Sequence, residues 1–158
     1  MSITYANALF ESYLSDILRN RFKQHPRLLG GLREIKYEQV FLAESKEELI
    51  DSLIEREMRE LLYLSLPDLL LKMRNQMGFR SLSTTYEEET TYWSLVRNCL
   101  LHNRGRIDGR LASMRTTCKN GERLSIGETD VSKAVNTLRK FAYQIDQVYE
   151  GDLSKTAV

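Results

Sequence analysis

An all-α bundle of about five helices is the fold class this sequence predicts. Three observations predict it: apolar residues recur at helical spacing along most of the chain, capping signals precede those stretches, and only two prolines interrupt them. At 158 residues, with 42% apolar and 28% charged content, the chain is long enough to bury a core without metal or disulfide support. One globular domain over residues 1–150 is therefore expected, with a frayed tail at 151–158.

Ala6, Leu9, Phe10, Tyr13, Ile17 and Phe22 recur at helical spacing, with Glu11, Ser12, Ser15 and Asp16 on the other side, which predicts a long first helix. Pro26 ends it near His25, because the residue before a proline is driven out of the helical region, and Gly30-Gly31 opens a turn. Glu34 to Leu42 alternates imperfectly and reads as extended. Ser45-Lys46-Glu47-Glu48 is a capping-box pattern that starts a second helix on Leu49, Leu53 and Ile54. Ser65-Leu66-Pro67-Asp68 repeats that logic with proline in the first turn, starting a third helix that runs from Leu69 to Met77 and stops at Gly78. Glu87 to Asn103 reads as a fourth helix, with acids in its first turn as the dipole favours and Gly105 just past its end. Asn120-Gly121, between short extended runs in Thr116 to Ile126, predicts a small β-hairpin before the last helix. Thr129 or Asp130 caps that helix, with Val131, Val135, Leu138, Ala142, Ile145 and Tyr149 on one face.

No apolar run approaches the roughly 18–20 residues that span a bilayer. Met1-Ser2-Ile3-Thr4-Tyr5 lacks a basic leader, so a cytoplasmic protein with no membrane partner is expected. Cys99 and Cys118 read as reduced thiols. The formal net charge of +1 conceals a split. Between Glu44 and Glu60 seven acids face three bases, whereas between Arg97 and Arg123 seven bases face only Asp108 and Glu122. The second block suits a polyanion, with Arg104, Arg106 and Arg110 as candidate RNA-binding side chains beside Asn103.

That basic block begins in Trp93-Ser-Leu-Val-Arg97-Asn98-Cys-Leu-Leu-His102-Asn103-Arg104-Gly105, which places a cation, an amide and an imidazole at the end of one apolar helix. At about 100° per residue, Trp93, Val96, Cys99 and Leu100 share one side, while Ser94, Arg97, Asn98, Leu101 and His102 share the other. Arg97 and His102 stand about 140° apart, a shallow constellation that a second surface must complete. Leu101, an apolar residue within this polar stripe, marks that surface as a homodimer interface. Cys99-x2-His102 with Cys118 lacks a fourth ligand, so neither a metal nor a cofactor is expected. No Gly-rich phosphate loop, nucleophile elbow or Asp-rich cluster supports another enzyme class.

The line Arg97-Asn98-x3-His102-Asn103-x-Gly105 resembles the Arg-x4-6-His signature of the HEPN superfamily, many of whose members are metal-independent endoribonucleases. The opening Ala8 to Leu14, the Ser45 helix, Met77-Gly78-Phe79 and the terminal helix resemble bacterial stand-alone members over nearly the whole length. The resemblance implies a HEPN-like bundle in which Arg97, Asn98 and His102 are catalytic, and in which a homodimer gathers two copies of Arg97 and His102 around one cleft. It implies RNA as substrate, cleaved by 2′-hydroxyl attack, and a toxin-like or antiviral role with a cognate antitoxin or regulatory protein as partner. Members that keep the fold without activity supply the alternative, a non-catalytic module binding RNA, a nucleotide or a protein. Toxin-type relatives often carry tyrosine two residues after the histidine, where this chain has Arg104. Arg19-Asn20-x4-His25 satisfies the same loose pattern, but proline follows His25 and a solvated face of the first helix is expected there.

Overall fold

The computed structural model describes residues 2–30 and 36–156, and every regular element among them is helical. In chain order these are α1 (Ile3–Gln24), α2 (Arg27–Gly30), α3 (Tyr37–Leu42), α4 (Lys46–Leu61), α5 (Leu66–Gln76), α6 (Glu87–His102), α7 (Gly109–Met114) and α8 (Glu128–Thr156). The all-α class is as expected, and the short helices α2, α3 and α7 account for the larger number. None of the described helices is long and apolar enough to cross a membrane. The chain divides into two compact units, Met1–Glu11 with Ser81–Val158 and Ser12–Arg80.

In the Ser12–Arg80 unit, Leu14, Leu18 and Phe22 of α1 are buried, as are Leu53, Ile54, Met58 and Leu61 of α4 and Leu69, Leu70 and Met73 of α5. The two N-caps lie where the sequence puts them. Ser45 Oγ accepts from the Glu48 amide at 3.0 Å, and Ser65 Oγ accepts from the Asp68 amide at 3.4 Å. The Glu48 carboxylate reaches one residue further back than in a standard capping box, to the Glu44 amide at 2.7 Å. Past α5 the chain turns at Gly78 with φ +85°. Against that turn lies Arg21, only 8% exposed, whose Nε donates to the Met77 carbonyl at 3.0 Å and whose guanidinium carbon stands 5.7 Å from the Phe79 ring centroid. A cation in a core is tolerated only with such partners.

The extended segment expected over Glu34 to Leu42 is corrected for the part that is described: Tyr37–Leu42 is helix α3. Tyr37, Val40 and Phe41 recur at three and four residues, the helical period, and that spacing underlies the imperfect alternation. Glu34 and the expected turn at Gly31 lie outside the described residues, while Gly30 closes α2.

In the other unit, Ile3, Trp93, Val96, Cys99, Ile107, Leu111 and Ala134 form a buried cluster, and Phe10 stacks on Phe141 with ring centroids 5.9 Å apart. Here α1 and α6 run parallel. Asn7 Nδ2 donates to the Trp93 carbonyl at 3.4 Å and Glu11 meets Arg97 one turn later, each pair separated by the same 86 positions. Along α8 the fully buried residues are Ala134, Leu138, Phe141 and Ile145, with Val131 and Val135 only partly covered. The expected stripe is therefore right at Leu138 and Ile145, with Val131 half-buried against the Trp93 cluster, while Ala134 and Phe141 take the buried places beside Val135 and Ala142. The helix continues past Gly151 to Thr156.

The hairpin expected over Thr116 to Ile126 does not form. Asn120-Gly121 does turn the chain, with the Glu122 amide on the Lys119 carbonyl at 3.1 Å and Gly121 at φ +84°. The residues after the turn pair instead with the segment that follows α6. The Ile107 amide donates to the Glu122 carbonyl, the Gly121 amide to the Ile107 carbonyl and the Leu124 amide to the Gly105 carbonyl, each at 2.8 Å. The cause is apolar: Ile107 is buried in the α6 cluster and Leu124 and Ile126 pack on it, which draws 121–124 toward 105–107. Between these paired segments α7 is capped by Asp108, whose Oδ1 accepts from the Leu111 amide at 2.9 Å.

Candidate active site

Helix α6 carries the candidate residues, and its two faces separate as its period requires. Thr90, Trp93, Val96 and Cys99 are buried, Arg97 and Asn98 are half-buried, and Leu101 and His102 are exposed. Burial pushes the Cys99 thiol above its ordinary range, and the side chain packs in the core cluster with Trp93 and Val96. Among the described residues no three His, Cys, Asp or Glu side chains gather as a metal site requires.

Arg97 and Asn98 are brought together directly. Arg97 Nη1 donates to Asn98 Oδ1 at 2.9 Å, and Nη2 lies 3.3 Å from Glu11 Oε2. The arginine side chain is 24% exposed, and its Nε is buried with no hydrogen-bond partner among the described residues. Glu11 is the residue beside Arg97 that sequence reasoning missed. Its only trace in the sequence is its position on the polar side of the first helix, since the register that sets it against Arg97 comes from Asn7 packing on α6.

His102 is the last residue of α6, about 7.5 Å along the axis and about 140° around it from Arg97. It has no hydrogen bond or ion pair among the described residues, so its ring nitrogens are open to whatever meets this end of the helix. The chain then leaves the helix sharply. The Cys99 carbonyl accepts from both the Asn103 amide at 3.1 Å and the Gly105 amide at 2.9 Å. Arg104 between them adopts φ +54°, the only left-handed non-glycine backbone among the described residues, at a cost of about 1–2 kcal/mol.

The basic block is divided in use. Arg106 Nη1 donates to the Gly121 carbonyl at 3.0 Å, and Arg115 pairs with Glu89 while its guanidinium carbon sits 3.7 Å from the Tyr92 ring centroid. These two hold the fold together and still carry charge. Arg104 and Arg110, the latter on α7, are exposed and have no ion pair among the described residues. Asn103 caps α6 with an exposed side chain.

The look-alike pattern in α1 is arranged differently. Arg19 grips both oxygens of Glu55, at 2.8 and 3.1 Å, and holds that carboxyl below the usual carboxylate range. His25 lies beyond the helix end with its Nε2 buried. Arg19 is thus paired on a solvated face, as expected, while His25 is half-buried.

One copy of α6 therefore offers a half-buried, oriented cation and an open imidazole that point different ways. Such a pair can steady charge on a phosphate and move a proton, though not at one point of one substrate without a further surface. No protein-family model, curated protein or solved structure matches the chain.

Proposed function

We propose that this protein is a metal-independent endoribonuclease of HEPN type that acts as a homodimer. The observation that carries the reading is the Arg97–Asn98 hydrogen bond on the same unbroken helix as the open His102, in the Arg-x4-His spacing. In the reaction the 2′-oxygen forms a bond to phosphorus while the bond from phosphorus to the 5′-oxygen breaks. One His102 takes the 2′-hydroxyl proton, and the His102 of the second copy gives a proton to the departing 5′-oxygen. The products end in a 2′,3′-cyclic phosphate and a 5′-hydroxyl. Arg97, turned by Asn98, steadies the charge that builds on the non-bridging oxygens. Arg104 and Arg110, with Asn103, would hold flanking phosphates, and Arg106 adds charge from its post on Gly121. A toxin-like or antiviral role, restrained by a cognate antitoxin or regulatory protein, accords with the resemblance.

The direct test is incubation of purified protein with total RNA in excess chelator. Fragments ending in cyclic phosphate are expected; intact RNA, or cleavage only on adding magnesium, would remove the reading. The alternative is a non-catalytic HEPN module that binds RNA, a nucleotide or a protein partner. One observation favours it: a carboxylate already faces the arginine.

The dimer has its own test. Leu101 is 49% exposed on the face that carries His102. Leu101→Glu should give monomers by sedimentation and leave no measurable cleavage, because the two His102 rings would no longer share a cleft. A variant that still sediments as a dimer would place the interface elsewhere.

A further inference from the structure

We propose that Glu11 is a resident anion in the seat that Arg97 offers to an RNA phosphate, and that it gives up this seat when RNA binds. The inference rests on the phosphate-handling role of Arg97 proposed above. The guanidinium has Nη1 on Asn98 at 2.9 Å and, among the described residues, a single end-on carboxylate contact, from Nη2 to Glu11 Oε2 at 3.3 Å. Arg19 in the same chain shows the alternative, a two-point fork on Glu55 at 2.8 and 3.1 Å. Forked contacts are the firm way for arginine to hold a carboxylate or a phosphate, and Arg97 has not made one. Glu11 is also 48% exposed, so water screens the pair and little holds it closed.

The carboxylate is nevertheless placed by the fold. Asn7, one turn earlier on α1 and buried, donates to the Ile3 carbonyl at 3.0 Å and to the Trp93 carbonyl at 3.4 Å. That bond fixes the parallel register of α1 and α6, so Glu11 falls opposite Arg97. Two non-bridging phosphate oxygens offer an arginine the same paired acceptors as a carboxylate. Glu11 therefore keeps Arg97 oriented and neutralised in the free protein and competes with phosphate for it.

The test is the affinity for a 2′-O-methyl RNA oligonucleotide, which cannot undergo 2′-hydroxyl attack, read by fluorescence anisotropy without divalent metal. Glu11→Gln should bind about fivefold more tightly, the scale of one screened ion pair, and Glu11→Ala should move the same way. The gain should vanish in the Glu11→Gln/Arg97→Ala double variant and be absent from Glu128→Gln, which removes the same charge elsewhere. Unchanged or weaker binding by Glu11→Gln, a gain that survives loss of Arg97, or no binding by any variant would overturn the proposal. Because the oligonucleotide is not cut, this cycle reads the seat whether or not the wild type cleaves RNA in chelator. Failure of the nuclease reading is thus seen separately.

Discussion

His102→Ala should reduce RNA cleavage by about 10²–10⁴-fold, the range that a positioned general acid or base contributes, and by the upper part of it if, as proposed, both copies of His102 serve one cleft. Affinity for the uncleavable 2′-O-methyl oligonucleotide should stay within about twofold, since the cations proposed to hold phosphates are untouched. That split separates proton transfer from binding. It follows from the geometry: His102 is exposed at the helix end and its side chain has no partner among the described residues, so its loss should leave the fold as it was. Arg97→Ala should differ by weakening both cleavage and binding. Undiminished cleavage by His102→Ala would end the assignment of proton chemistry to this residue.

Gly78→Ala should destabilise the Ser12–Arg80 unit by about 2–4 kcal/mol. Part of the loss is the backbone, because φ is +85° there. The rest is the added Cβ, which would run into the Arg21 guanidinium, a buried cation whose Nε already serves the Met77 carbonyl. Gly121→Ala isolates the first part: φ is +84° and nothing lies within 4 Å of the added Cβ, so about 1–2 kcal/mol is expected. Denaturant melts of the two variants check the difference. Equal losses would mean that Arg21 swings aside at no cost and is not fixed by Met77 and Phe79.

Where a signal is local, the chain discloses its structure readily. Ser45 and Ser65 accept from amides three residues on, Gly78 and Gly105 adopt positive φ just past their helices, and α6 ends within one residue of its expected limit. Each depends only on neighbours along the backbone. What escapes is decided by residues far apart in sequence. Asn120-Gly121 announces a turn, but Ile107 and Leu124, by sharing a core cluster, determine which strand-like segment the turn returns to. Spacing finds the apolar face of α6, and with it the outward set of Arg97, Asn98, Leu101 and His102. It cannot find Glu11, which is 86 positions from Arg97 and is brought there by the register of two helices. Nor does polarity foretell that Arg21 would be buried while Tyr37 and Phe41 are exposed.

The three 2.8 Å backbone hydrogen bonds that join 105–107 to 121–124 have a kinetic consequence. A basic arm that is loose in the free protein must be frozen as it meets a polyanion, and that loss of freedom slows productive encounters and weakens each contact. Here the backbone on both sides of α7 is already stitched down by folding, with Arg104 and Arg110 mounted on it. A polyanion that approached would meet charges on a pinned backbone, so the rate of capture should be governed by diffusion and the protein's electric field, and should decline with salt and not with the stiffness of a loop.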